Sequence, residues 1–412
     1  MTGHKLEPSI DTAKPEKDIS AFLLTMLWAM VMLPIFGENA VSSLLRNASL
    51  SKMLSSFSCL IILIASLNSN VRFNVFHFIV ALLALMRCFI TLYVISSGYG
   101  IRGTSNNAVT PYGMIAYLSV FLLINIYTHF PRKLRYLFSG LTVSATFLIF
   151  MNIFITSDLK LVNITSVLQR ALSTHYGESR WLFGHRNNIY IQHLLWMLFS
   201  CVNCYIHNRS YRKLFFVQSA VNIFVAVLSG NATMLLCAVL MVLMFSVNIF
   251  RKISIRTYIF TYAVLEIGIV FLRVQNIFDF ILVDMLHRNL TFTGRTHIWD
   301  AYIAQYCSGD FLNWMVGNLG VNASSANTHN MFLGLVAYTG LIGTFLYCCL
   351  IYLSSSALYR ARHLQISKIM TIILFMFLIN SITMEFYNQI MLAMYIGYEI
   401  IKIRKIYLRG GG

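Results

Sequence analysis

The sequence predicts an all-α polytopic membrane protein of about twelve transmembrane helices with a large, partly helical outer loop. Three observations predict it. Of 412 residues, 58% are hydrophobic and only 11% charged, too little polar surface to cover a water-soluble globule of this length. The hydrophobic residues fall in long runs separated by short polar breaks, the pattern of helices whose backbone groups must all be paired inside lipid. The basic residues concentrate in alternate breaks, as the positive-inside rule requires.

Apolar runs long enough to be helices fall at about 20–36, 54–68, 73–97, 111–130, 136–156, 188–206, 214–229, 231–249, 257–275, 330–353, 369–384 and 387–403. Several are shorter than the ~20 residues of a perpendicular span, so tilt or flanking residues must make up the difference. The polar tail 1–19 precedes a first run that lacks a small-residue cleavage site, and that run is read as a retained helix. With this tail on the cytoplasmic side, twenty of the 31 Lys and Arg fall on the inner side and nine outside. Arg87 and Arg273 lie within or at the ends of spans. Both termini are then cytoplasmic, 404–412 forming the second tail, and Gly410-Gly411-Gly412 reads as a cloning scar.

The chain divides accordingly. Helices 1–5 occupy 20–156, an outer loop 157–187, helices 6–9 188–275, a larger outer loop 276–329, and helices 10–12 330–403. Function is expected in the two outer loops, since long connections in a compact protein are more often functional than idle. The larger loop carries helix-like stretches at Phe278–Met285 and His297–Tyr306, which suggests a folded cap.

The formal charge of +17 would suggest nucleic acid as a partner in a soluble protein, but here the charges follow the loops of a membrane protein and no nucleic acid is expected. Six of the eight cysteines, Cys59, Cys88, Cys201, Cys237, Cys348 and Cys349, stand in apolar runs, so neither a zinc site nor a disulfide framework is indicated. The chain has no P-loop, GxSxG or HExxH signature, and neither ATP hydrolysis nor nicotinamide redox is expected. No metal and no cofactor are expected.

The remaining chemistry lies in polar clusters near span ends. In the first outer loop, the run from Glu178 to Asn188 places Arg180, His185, Arg186 and Asn187 just before a span. Arginine presents a planar fork of donors suited to phosphate, and a position at the bilayer edge strengthens the contact by lowering the local dielectric. Interfacial anchoring by arginine and Trp181 is the plainer alternative. In the second loop, Thr293-Gly-Arg-Thr-His-Ile-Trp299 puts Arg295 at the start of a predicted helix, where backbone donors and the helix dipole favour an anion. Arg288 joins it in the same loop. Asn327-Thr-His-Asn330 leads directly into a span, placing His329 and Asn330 at the membrane edge; a histidine there can act as base or acid near neutral pH. Within the third span, Arg87 needs a partner or a wet cavity. It is read either as a structural pair with a distant acid such as Glu266 or Glu385, or as an anion contact. Gly334, Gly340 and Gly343 are read as allowing close helix approach.

This constellation resembles the bacterial O-antigen polymerase and ligase superfamily, whose polymerases are called Wzy-type. The resemblance rests on the twelve-span layout, the large outer loop late in the chain, Gly294-Arg295 followed by Trp299, and His329-Asn330 leading into a glycine-bearing span. Gly184-His185-Arg186-Asn187 is similar to the earlier arginine motif of polysaccharide polymerases in this group. It covers about residues 180–345; the first half is similar only in hydropathy.

The resemblance implies joining of undecaprenyl-pyrophosphate-linked oligosaccharide repeat units, as donor and acceptor, at the outer face of the bacterial cytoplasmic membrane, without nucleotide sugar or metal. Arg186 and Arg295 would neutralise the pyrophosphate and His329 would assist the acceptor hydroxyl, with Arg180, His185, Asn187, Asn330, Arg288 and Arg87 as further substrate contacts. Glu178 is the reserve base, weakened by neighbouring arginines that lower its pKa. Membrane lipids are partners, and the resemblance leaves room for a chain-length regulator protein. The alternatives are a ligase that moves finished glycan to lipid A core, and a polysaccharide flippase or other secondary transporter, for which Arg87 is the one supporting feature.

Overall fold

The computed structural model describes residues 19–45, 48–67, 73–96, 111–155, 182–183, 187–278, 294–317 and 328–409. Among these residues there is no strand, and the protein is an all-α membrane protein. Its helices are α1 Ile19–Phe36, α2 Glu38–Leu45, α3 Ala48–Leu67, α4 Val75–Ser96, α5 Pro111–Tyr127, α6 Pro131–Ile155, α7 Asn187–Ile206, α8 Arg212–Leu228, α9 Ala232–Ser246, α10 Ile255–Glu266, α11 Arg295–Cys307, α12 Phe311–Val316, α13 Met331–Arg360, α14 Gln365–Ser381 and α15 Tyr387–Arg409. A π-helical stretch, Ile267–Phe271, continues α10.

Each predicted apolar run coincides with one of these helices. Among the described residues five windows, within α3, α4, α6, α7 and α13, are long and apolar enough to cross a bilayer; α1, α5, α9 and α14 contain shorter apolar helices. Local chemistry sets several boundaries. Prolines begin α5 and α6, where a missing N–H costs nothing. Asn231, Ser254 and Asn330 cap α9, α10 and α13 by accepting the backbone N–H three residues on.

The helices α14 and α15 form the centre. Ile390 to Ile396 are almost wholly enclosed, while α7, α9, α10 and α13 pack against one or both of the pair. On the perimeter, Phe22, Met30, Phe57, Phe78, Phe89, Phe154, Leu236, Phe260 and Phe345 project outwards. A belt of exposed aromatic and aliphatic side chains on this scale needs lipid around it.

Several boundaries depart from the expectation by four to seven residues, among them the starts of α3, α6 and α14 and the ends of α13 and α15. α3 begins at Ala48 rather than near 54 because Ser51 and Ser55, both buried, donate to the carbonyls of Glu38 and Pro34 at 2.9 and 2.8 Å. α13 runs on to Arg360 rather than ending near 353, its serine-rich end packing beside Ser367, whose Oγ donates to the Leu358 carbonyl at 2.9 Å. Hydropathy undercounts such serines because their hydroxyls are satisfied by backbone.

Within α13 the backbone leaves helical geometry at Gly340, with φ 60° and ψ −165°. Only glycine fits there comfortably. A Cβ on it would stand 2.4 Å from the carbonyl group of Met315, because α12 crosses the helix at this break. Cys201 and Cys204 stand in a Cys-x-x-Cys spacing that the sequence reading passed over; both are free thiols inside α7, with Cys201 buried.

Candidate functional site

The two later motifs meet at the end of the bundle where α13 begins and α14 turns into α15. Asn330 organises the junction. Its Oδ1 accepts the Leu333 N–H at 2.7 Å, capping α13, while its amide donates to Glu266 Oε1 at 2.7 Å and to the Ile382 carbonyl at 2.9 Å. One buried side chain thus ties α10, α13 and the α14–α15 connection together.

Thr328 joins the same junction. Its backbone N–H donates to Glu385 Oε1 at 2.5 Å, and its hydroxyl lies between that oxygen and the Asn330 carbonyl. The His329 N–H also points to the Glu385 carboxyl. His329 itself holds a left-handed backbone at φ 52° and is half-buried. A non-glycine residue keeps that conformation only when its neighbours fix it, and here Thr328 and Asn330 are both anchored.

Arg295 is the first residue of α11, preceded by Gly294 in the left-handed region at φ 86°. Its guanidinium reaches Met384 Sδ at 4.0 Å, beside Glu385. One turn along, Trp299 is fully enclosed and donates its indole N–H to the Thr328 carbonyl at 3.0 Å. The Gly294–Trp299 and Thr328–Asn330 motifs are therefore physically joined. Arg273 stacks 5.4 Å from the Trp299 ring centre and forms an ion pair with Asp300, fixing α11 to the end of the α10 segment.

Glu385 lies in the connection between two apolar helices, 4% exposed, with Oε2 lacking a hydrogen-bond partner among the described residues. Burial pushes its carboxyl up to about 7, opposed in part by the hydrogen bonds from Thr328. The site thus combines a half-buried guanidinium, a strained histidine and a carboxyl poised near neutrality. That set can hold an anion and exchange a proton with a hydroxyl.

Arg87, on α4, is 4% exposed and donates to the Tyr338 carbonyl at 2.5 Å with its guanidinium 5.9 Å from the Tyr338 ring centre. Tyr338 precedes the break at Gly340 by two residues, so the arginine serves a carbonyl close to the interruption of the helical ladder. Tyr387 lies within electrostatic reach of Arg87, Tyr338 and Glu385, and its hydroxyl occupies the space that a side chain at Gly334 would fill. Arg87 therefore borders the junction from the α4 side.

Of the other expected residues, Glu178, Arg180, His185, Arg186 and Arg288 lie outside the described residues, as does most of the predicted helix at Phe278–Met285. Asn187 opens α7, and Leu182 and Phe183 just upstream are buried. The predicted helix at His297–Tyr306 is the middle of α11. Sequence reasoning missed Glu385, Tyr338 and Tyr387 as parts of this junction, weighing Glu385 only as an ion-pair partner; its one signal was an acid flanked by two apolar runs. It also passed over Gly98-Tyr-Gly-Ile-Arg-Gly103, which has the GxGxxG spacing but follows the helix α4 rather than a strand, the wrong context for a dinucleotide turn. No group of three His, Cys, Asp or Glu that could hold a metal ion stands together among the described residues. Comparison with protein-family models, curated proteins and solved structures finds no match for this chain.

Proposed function

We propose that this chain is a membrane glycosyltransferase that polymerises undecaprenyl-pyrophosphate-linked oligosaccharide repeat units of an O-antigen or capsular polysaccharide. It spans the bacterial cytoplasmic membrane about twelve times with both termini inside, and works at the outer face. The observation that carries this reading is the junction of Arg295's helix with the Thr328–Asn330 turn over the Glu385 carboxyl.

A lipid pyrophosphate is already a good leaving group, so the protein must chiefly supply fixed positive charge where negative charge develops, and a proton acceptor beside an oriented hydroxyl. In the transfer, the acceptor hydroxyl oxygen bonds to the donor's anomeric carbon as the bond from that carbon to the phosphate oxygen breaks. His329 receives the hydroxyl proton. The lipid pyrophosphate departs against Arg295 and Arg186. Glu385, through Thr328 and the His329 N–H, positions the histidine.

The test is incubation of purified protein with lipid-linked repeat units, without nucleotide or added metal, followed by gel analysis. A ladder of lengthened glycans is expected. Transfer only to a lipid A core acceptor would replace polymerase by ligase, and no transfer to either acceptor would overturn the reading.

A further inference from the structure

A second feature lies on the side of the bundle formed by α10 and α13. Between the two helices runs a groove of about 500 Å3, open towards the perimeter and lined almost entirely by apolar groups. Of its lining side chains, Ile267, Phe271 and Tyr352 are exposed, and Phe260 and Phe345 on the same two helices project into the lipid-exposed belt. Arg256 lines one end and Glu266 lies further along. Ten residues of helix separate these two, roughly 15 Å at 1.5 Å per residue, which is half of a ~30 Å hydrocarbon core.

The Arg256 end is built for negative charge. The guanidiniums of Arg256 and Arg362 stand 4.2 and 4.3 Å from the centre of the same ring, that of Tyr359. Both arginines are exposed, and neither forms an ion pair with a carboxylate among the described residues. Two like charges held against one ring are mutually repulsive, and an anion between or above them relieves that repulsion.

We propose that this groove is a binding site for an anionic phospholipid, with one acyl chain between α10 and α13 and the phosphate at Arg256 and Arg362. The charge pattern selects a phospholipid over the tail of a lipid-linked donor. The cationic end is the one remote from Glu266, whereas Arg295 and His329 lie near the Glu266 end through Asn330. A donor whose phosphates sat at Arg295 would run its chain past the Glu266 carboxyl and leave both arginines unmatched. The depth of the groove selects a lipid over a free phosphate, because only a lipid fills the apolar length. On the orientation proposed above, this lipid belongs to the cytoplasmic leaflet, where anionic lipids meet basic helix ends.

The experiment is native mass spectrometry of the full chain released from phosphatidylcholine vesicles with and without phosphatidylglycerol. Two arginines at a headgroup correspond to a roughly thirty-fold preference for the anionic lipid. That preference should fall to near unity in an Arg256→Gln/Arg362→Gln double variant and survive in Arg256→Lys/Arg362→Lys, which keeps the charge and controls for folding. Ala263→Phe, which fills the groove, should expel the lipid while leaving the arginines intact. The proposal is overturned if wild type shows no preference, if the glutamine pair retains it, or if Ala263→Phe holds as much lipid as wild type. It is also overturned if glycerol 3-phosphate alone displaces the lipid, or if a polyprenyl phosphate is retained in its place. None of these readouts depends on glycosyl transfer.

Discussion

Removing the Asn330 side chain should unlock the junction on which the candidate site stands. In Asn330→Ala, the α13 cap is lost, which costs about 1 kcal/mol. Glu266 Oε1 and the Ile382 carbonyl each lose a donor in a buried setting, and each orphaned group costs ~1–3 kcal/mol. The total is about 3–5 kcal/mol, allowing for relaxation around the smaller side chain. Reversible unfolding in mixed detergent and SDS measures it. The sharper form is a double-mutant cycle with Glu266→Leu, which removes the carboxyl that Asn330 satisfies. If the hydrogen bond is as described, the double variant should be less destabilised than the sum of the singles by about 1–2 kcal/mol. Additivity within ~0.5 kcal/mol would show that the two side chains do not meet. Unchanged stability of Asn330→Ala would refute the whole account of the junction.

Glu385 gives a pH prediction. Its folded carboxyl titrates near 7 against an ordinary value of 4.5, so the folded state holds a proton that the unfolded chain releases. Stability is therefore greatest below about 4.5, falls as pH rises towards 7 by a few kcal/mol on the order of the shift, and is flat above it; Glu385→Gln should abolish that slope, and an unchanged slope would assign it elsewhere. His329→Asn should fold as wild type, since asparagine tolerates the left-handed backbone, while chain extension stops and lipid-linked single repeats accumulate. Arg295→Ala and Arg186→Ala should give the same accumulation, and a normal ladder of lengths in all three would show the proposed site to be wrong. Gly340→Ala should destabilise by several kcal/mol, because both the positive φ and the Met315 carbonyl oppose a side chain; expression and unfolding at wild-type levels would mean that α12 does not cross α13 there.

Much of this architecture was readable from the chain because the long helices announce themselves as apolar runs, and a break between runs needs only local polarity; α2, α11 and α12 lie outside those runs. The arginine and histidine motifs were readable for a similar reason, since Gly294-Arg295 and His329-Asn330 are contiguous in sequence. What joins them is not. Trp299 reaches Thr328 across 29 residues and Glu385 reaches it across 57, pairings decided by how α13, α14 and α15 stack. Likewise, nothing before or after Arg87 indicates that its guanidinium meets a carbonyl 251 residues away. The boundary shifts at α3 and α13 have one origin. Buried serines that bond to backbone carbonyls, Ser55 at α3 and Ser355 at α13, look like loop to a hydropathy count and behave as helix interior.

The interruption at Gly340 also makes α13 a ruler. Below it, Leu341–Arg360 rises roughly 30 Å, the thickness of one hydrocarbon layer. Met331–Thr339 does not continue upwards from the break: the Tyr347 hydroxyl donates to Met331 Sδ at 3.7 Å, so the first segment folds back beside the second and carries the Thr328–Asn330 turn to the level of Tyr347. The depth of the junction is then set by a fixed length of helix, roughly 20 Å from Tyr347 to Arg360. With Arg360 seated at one surface, a thicker membrane would bury the junction further beneath the other surface and a thinner one would bring it closer to the headgroups. Membrane thickness becomes a parameter of this chain's chemistry as much as any side chain.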